Sequence, residues 1–132
     1  MPPSEPGALS GMRVLLVEDS DDSRDAFTML LRSEGAEVAA FANGREATAA
    51  ALATDFDLLL TDYGLPDIPG DRLIGQIVST ARHRPHVVVV TGYGPPYIER
   101  ARKAGADEVL TKPVDWQDLL QRLRPYAPRI AA

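Results

Sequence analysis

At 132 residues the chain is long enough for one domain with one core and short for two. Its composition, 45% hydrophobic and 25% charged, is that of an ordinary globular protein, and a net charge of −5 weighs lightly against a nucleic-acid partner, whose phosphates it would repel. No run approaches the roughly 20 apolar residues of a membrane span. "MPPSEPGALS" lacks the basic and apolar regions of a signal peptide, and the absence of cysteine excludes disulfides, thiolate nucleophiles and Cys-ligated zinc while fitting the cytoplasm.

In chain order, Pro2, Pro3, Pro6 and Gly7 mark residues 1–11 as a loosely held tail or linker. "RVLLVE" (13–18) reads as a strand. Ser20 or Asp21 caps a helix that runs through Phe27, Leu30 and Leu31 to Glu34, with Gly35 just past its end. "EVAAF" (37–41) is a second strand, and Asn43 caps the Ala-rich "GREATAAALA". "DLLLT" is the third strand. The loop "DYGLPDIPG" then leads to a helix over about 71–81, striped by Leu73, Ile74, Ile77 and Val78. "HVVVV" (86–90) is the clearest buried strand, followed by "TGYGPP", in which Pro95 or Pro96 suits a first helical turn, and a helix over 97–104 that stops at Gly105. "DEVLT" (107–111) is the fifth strand, and Asp115 caps a last helix carrying Trp116, Leu119, Leu120 and Leu123. Pro125 and Pro128 mark residues 125–132 as a second tail. The cluster Arg82, His83, Arg84 and His86 reads as a complement to the negative end of the helix before it.

Five strand–helix units in strict alternation predict an α/β fold: one doubly wound five-stranded parallel sheet with helices on both faces. Ligands of such sheets bind outside the carboxyl ends of the strands. There the chain places Glu18 and Asp19 after strand one, Asp62 after strand three, Thr91 after strand four and Lys112 after strand five. Each has an ordinary explanation alone: a cap, an Asx turn, a loop hydroxyl, a solvated lysine. Five such accidents at one end of one sheet are a poor account of the set. Three close carboxylates repel one another unless a cation joins them, and one lysine does not balance three. Magnesium, which needs few protein ligands, is the natural cation, and with a lysine and a hydroxyl it equips a site for phosphoryl transfer. Asp62, at the end of the central strand, is the candidate nucleophile, able to carry a phosphoryl group as an acyl phosphate.

With "LLVEDS", "LLLTDYGLPDIPG", "VVVVTGYG" and "AGADEVLTKPV" in this order, the sequence resembles the CheY-like receiver domains of two-component response regulators over about residues 13–123. The resemblance implies a receiver domain over 12–124, with Asp62 as phosphoacceptor. It implies magnesium held by Asp19, Asp62 and the backbone carbonyl of Gly64, with Glu18 acting through a bound water. Thr91 is then the switch hydroxyl and Lys112 the phosphate-pairing lysine, with Lys112–Pro113 a cis bond. The implied donor is a phosphohistidine on a sensor histidine kinase or histidine phosphotransfer protein, and the implied output surface is the fourth helix, fifth strand and fifth helix. Arg100, Arg102, Lys103, Asp107, Glu108 and Arg122 are its candidate charged contacts, toward a downstream protein or effector domain. No Gly-rich loop ending in Lys-Ser or Lys-Thr is present to bind ATP, and the resemblance implies self-phosphorylation from the phosphohistidine donor and autodephosphorylation only, not a turnover enzyme.

Val109 departs from the family pattern, which often has Tyr or Phe three residues before the lysine. A rotating aromatic at that position is therefore not the route to the surface. Tyr93, two residues after Thr91, is an aromatic that gates access or is an exposed loop residue. A magnesium phosphohydrolase would want a second Asp where Gly64 stands, and a flavin carrier would not put "EDSDDSRD" where a flavin phosphate must sit. A phosphorylation-dead scaffold is opposed by the full acidic set. The chain reads as a stand-alone receiver or one excised from a hybrid kinase.

Overall fold

The computed structural model describes residues 7–92 and 94–128. Its elements are β1 (Arg13–Val17), α1 (Asp21–Ser33), β2 (Glu37–Phe41), α2 (Gly44–Ala53), β3 (Leu58–Asp62), α3 (Gly70–Thr80), β4 (His86–Thr91), α4 (Pro95–Ala104), β5 (Glu108–Thr111) and α5 (Trp116–Leu123). A single 3-10 turn, Arg124–Tyr126, follows α5. The strands form one parallel sheet in the order β2-β1-β3-β4-β5. The order reverses between β1 and β3, so the carboxyl ends of those two strands open the crevice in which such sheets bind ligands.

Period-two alternation along the strands divides the core between the faces. Leu16, Leu58, Leu60, Val88 and Val90 pack with Leu31 of α1 and Leu119, Leu120 and Leu123 of α5. Leu15, Leu59, Val87 and Val89 pack with Ala47 of α2, Leu73, Ile74 and Ile77 of α3 and Ala101 of α4. Side chains of this kind, fully buried, stabilise by about 1.5–3 kcal/mol each. That makes the sheet a stiff base for whatever its upper ends carry.

Local chemistry sets the helix ends. The Ser20, Asn43 and Asp115 side chains accept from Ser23 N–H, Glu46 N–H and Gln117 N–H, which caps α1, α2 and α5. α4 begins at Pro95, two residues before Tyr97, because proline at a first turn has no N–H to lose. Gly105 then ends it at φ 124°, a conformation that disfavours a Cβ.

Three expectations need correction. Residues 7–11 are not a loose tail: Leu9 is fully buried beneath α1 among Met12, Leu31 and Ala36, and its N–H donates to the Glu34 carbonyl at 2.8 Å. Residues 125–128 also pack back. The Tyr126 ring stacks on His86 with centroids 3.4 Å apart, and Ala127 lies against the core. Pro2, Pro3, Pro6 and residues 129–132 lie outside the described residues. Arg84, lastly, does not serve the helix before it. It reaches the Gly105 carbonyl at the end of α4 (2.6 Å) and the Asp107 carboxylate (2.8 Å).

Candidate metal centre and phosphoacceptor site

Glu18 and Asp19 follow the last residue of β1, and Asp62 is the last residue of β3. The sheet register pairs Val17 with Thr61, so the two strands deliver their carboxylates at one level. Oxygens from Glu18, Asp19 and Asp62 lie within 4.8 Å of one another. Glu18 is only 2% exposed while Asp19 is exposed, which grades the cluster from its floor to its mouth.

Lys112, immediately after β5, reaches across to this cluster. Its Nζ donates to Glu18 Oε1 at 3.1 Å and to Asp62 Oδ2 at 3.0 Å. Its backbone N–H donates to the Thr91 carbonyl at 2.9 Å, and the Lys112–Pro113 peptide is cis. Burial draws the ammonium pKa down, but the hydrogen bonds to Asp62 and Glu18 outweigh this and hold it above its ordinary value. Burial pushes the Glu18 carboxyl up, and the neighbouring Asp62 charge adds to this against the opposing pull of Lys112. One cation thus holds together carboxylates that it does not neutralise.

Thr91 closes β4 and is fully buried. Gly64 follows Asp62 by two residues, and its N–H donates to Asp62 Oδ1 at 3.2 Å. The five sequence-predicted groups, Glu18, Asp19, Asp62, Thr91 and Lys112, therefore stand at the carboxyl ends of their strands, and Gly64 begins the loop beside them. The donor set is all oxygen and carboxylate-rich, which suits a hard divalent cation. Val109 stands on the edge strand β5, half-buried against the α3 side of the core. Tyr93 lies outside the described residues.

Two residues of the site neighbourhood escape a linear reading. Tyr63 is 7% exposed and edge-on to Tyr97 of α4, with ring centroids 5.6 Å apart. The alternation Leu59, Thr61, Tyr63 was a legible signal that it faces α3 and α4. Asp67 accepts from Gly44 N–H and Arg45 N–H, both at 2.8 Å, and so ties the β3–α3 loop to the first turn of α2. Nothing in the sequence signals a cap supplied from 22 or 23 residues away. Among the candidate output contacts, Asp107 is held by Arg84 and Val87 N–H, and Glu108 and Arg122 engage each other.

A doubly wound sheet with an acidic triad and a bridging lysine at its switch point defines a class of domains with an oxygen-rich site for a hard cation at the carboxyl ends of their strands. Residues 14–124 match the family model of the response regulator receiver domain, and the chain belongs to that family. It is 34% identical over 124 residues to the transcriptional regulatory protein TcrA of Mycobacterium tuberculosis, covering 93% of this chain and 49% of that protein. The chain spans about half the length of the first curated relatives it matches (43% and 49%). Among solved structures, a CheY-like receiver domain protein from Methanospirillum hungatei superposes with a TM-score of 0.81 at 32% identity, over 86% of this chain and 91% of that one. The receiver domain of the Pseudomonas aeruginosa sensor histidine kinase PA1611, solved with magnesium in its active-site cleft, superposes with a TM-score of 0.80 at 27% identity, over 89% and 98% of the two chains. Among the described residues no helix is long and apolar enough to cross a membrane.

Proposed function

We propose that this receiver domain takes a phosphoryl group from a phosphohistidine on a sensor histidine kinase or histidine phosphotransfer protein onto Asp62. The observation that carries this reading is the meeting of Glu18, Asp19 and Asp62 within 4.8 Å, with Lys112 Nζ on two of them. An Asp62 carboxylate oxygen attacks phosphorus, the P–N bond of the donor breaks, and its imidazole leaves with the electron pair. Asp19, Asp62 and the Gly64 carbonyl would hold magnesium, with Glu18 acting through a water, and the ion would supply a hard positive charge for the phosphoryl oxygens. Lys112 pairs with a phosphoryl oxygen as negative charge arrives, and the Thr91 hydroxyl donates a hydrogen bond to the product.

The chain acts on itself and does not turn over a separate substrate. Its output is a population shift at α4, β5 and α5, toward a downstream protein or an effector domain, in the cytoplasm and without contacting nucleic acid or membrane directly. Intact mass after incubation with acetyl phosphate tests the chemistry. The parent chain gains one phosphoryl group only with magnesium present, and Asp62→Asn gains none. Equal uptake by the variant would place the phosphoryl group elsewhere.

A further inference from the structure

The aromatic that receivers often rotate is Val109 here, so whatever phosphorylation does to the surface must pass through other side chains. Tyr63 follows the phosphoacceptor directly, and its backbone is fixed from three sides. Its N–H donates to the Val90 carbonyl (3.3 Å), and its own carbonyl accepts from Leu65 N–H (3.2 Å) and Gly70 N–H (3.1 Å). Gly70 has no room for a side chain, since a Cβ there would sit 2.6 Å from the Tyr63 oxygen. The β3 end and the start of α3 are thus locked around Tyr63.

The ring and hydroxyl of Tyr63 look the other way, toward α4. The ring meets Tyr97 edge-on, and the Arg100 guanidinium lies over the Tyr97 ring, 5.6 Å from its centroid. Burial raises the pKa of the Tyr63 hydroxyl above the ordinary tyrosine value, the Asp71 charge of α3 adds to this and Arg100 opposes it. Tyr63, just past β3, and Tyr97 and Arg100 of α4 therefore make one cluster, one residue away from the phosphoacceptor. Thr91 closes β4 and Tyr97 lies in the first turn of α4, so any displacement of Thr91 would be transmitted to that turn. The Tyr63–Tyr97 contact is where that displacement meets the fixed side. An aspartyl phosphate also carries about two negative charges where the free carboxylate carries one, and Arg100 is the cation of the cluster.

We propose that Tyr63 is a positioning residue that couples Asp62 to α4 through Tyr97 and Arg100, with these three side chains replacing the rotating aromatic absent at Val109. The proposal rests on the receiver reading above. It requires two discrete arrangements of the cluster, biased by the state of Asp62, and not merely adjacency.

Amide chemical shifts of residues 97–104 in the full chain, with and without magnesium and beryllofluoride, test it. The parent chain, Tyr97→Ala, Tyr97→Phe and Arg100→Met are compared, with beryllofluoride affinity measured for each. Tyr97→Ala and Arg100→Met are expected to bind beryllofluoride like the parent but to lose most of the α4 shift change. Tyr97→Phe, which restores the ring, restores the response. An α4 response of parental size in both Tyr97→Ala and Arg100→Met would overturn the proposal. Failure of the parent to bind beryllofluoride at all would instead overturn the receiver reading, and the coupling with it.

Discussion

Lys112 and Glu18 are a pair whose roles pull apart when either is changed. Lys112 competes with any divalent ion for the carboxylates of Glu18 and Asp62, because it already occupies both at 3.0–3.1 Å. Lys112→Ala is therefore expected to bind magnesium more tightly, by about threefold to tenfold. The same variant should take up a phosphoryl group from acetyl phosphate at least about tenfold more slowly, since a preorganised charge is gone. Calorimetric titration and intact mass read the two effects separately, and weaker metal binding would contradict the competition. Glu18 gives a pH signature. Burial raises its pKa in the folded state, so its contribution favours folding below the ordinary carboxylate range. That contribution turns into a penalty as pH rises through the raised folded value. Without magnesium, Glu18→Gln should melt higher than the parent at pH 7. The gap should close near pH 4, whereas a variant that melts lower at pH 7 would mean that the Lys112 bond outweighs burial. These residues were legible from strand ends alone, because a carboxylate at the end of a buried strand has few structural reasons to be there. Burial of Tyr63 was legible in its alternation, but its partners on α4 were not, since they depend on how α3 and α4 pack.

The β3–α3 loop owes its position to Asp67, which joins elements that the sequence keeps apart. Its carboxylate accepts from Gly44 N–H and Arg45 N–H, and these bonds, with one from Ile68 N–H, hold its pKa below the ordinary aspartate value. Asp67→Ala should cost about 1 kcal/mol in urea unfolding at pH 7, the usual effect of a lost helix cap. The lowered pKa means that this stability is present above the ordinary carboxylate range and fades as pH falls through the folded value. The deficit of the variant should therefore shrink in acid. Magnesium binding should also weaken by a factor of about two to five, because the loop that carries Gly64 is no longer pinned to α2. A variant of unchanged stability and unchanged metal affinity would show the cap to be ornamental. The strands and helices themselves were readable to within a residue or two. "HVVVV" and "DLLLT" are continuous apolar runs of strand length, and Ser20, Asn43 and Asp115 are capping residues at the right places. Asp67 was not readable, because a cap offered from another loop leaves no local pattern.

Across the whole molecule, the packed unit begins before the first strand. Leu9 is as buried as any residue of the sheet, and its backbone is hydrogen-bonded to the end of α1. Leu9→Ala should destabilise the chain by about 2–4 kcal/mol in urea unfolding. No measurable change would return residues 7–11 to the status of a tail. Composition misled the reading here: Pro2, Pro3, Pro6 and Gly7 resemble a linker, and a single leucine has no periodicity to reveal it. The C-terminal segment escaped for the same reason, with Pro125 and Pro128 on either side of Tyr126, whose ring stacks on His86. What the whole fold exists to do, on this account, is to hold one carboxylate at the switch point of a rigid sheet and let it be phosphorylated. The most direct measurement is chemical trapping of the product. After incubation with acetyl phosphate and magnesium, borohydride reduces an aspartyl phosphate to homoserine, and tandem mass spectrometry of the digested chain reads its position. The account predicts homoserine at position 62 and nowhere else, dependent on magnesium. Homoserine at another acidic position, Asp19 included, would contradict it.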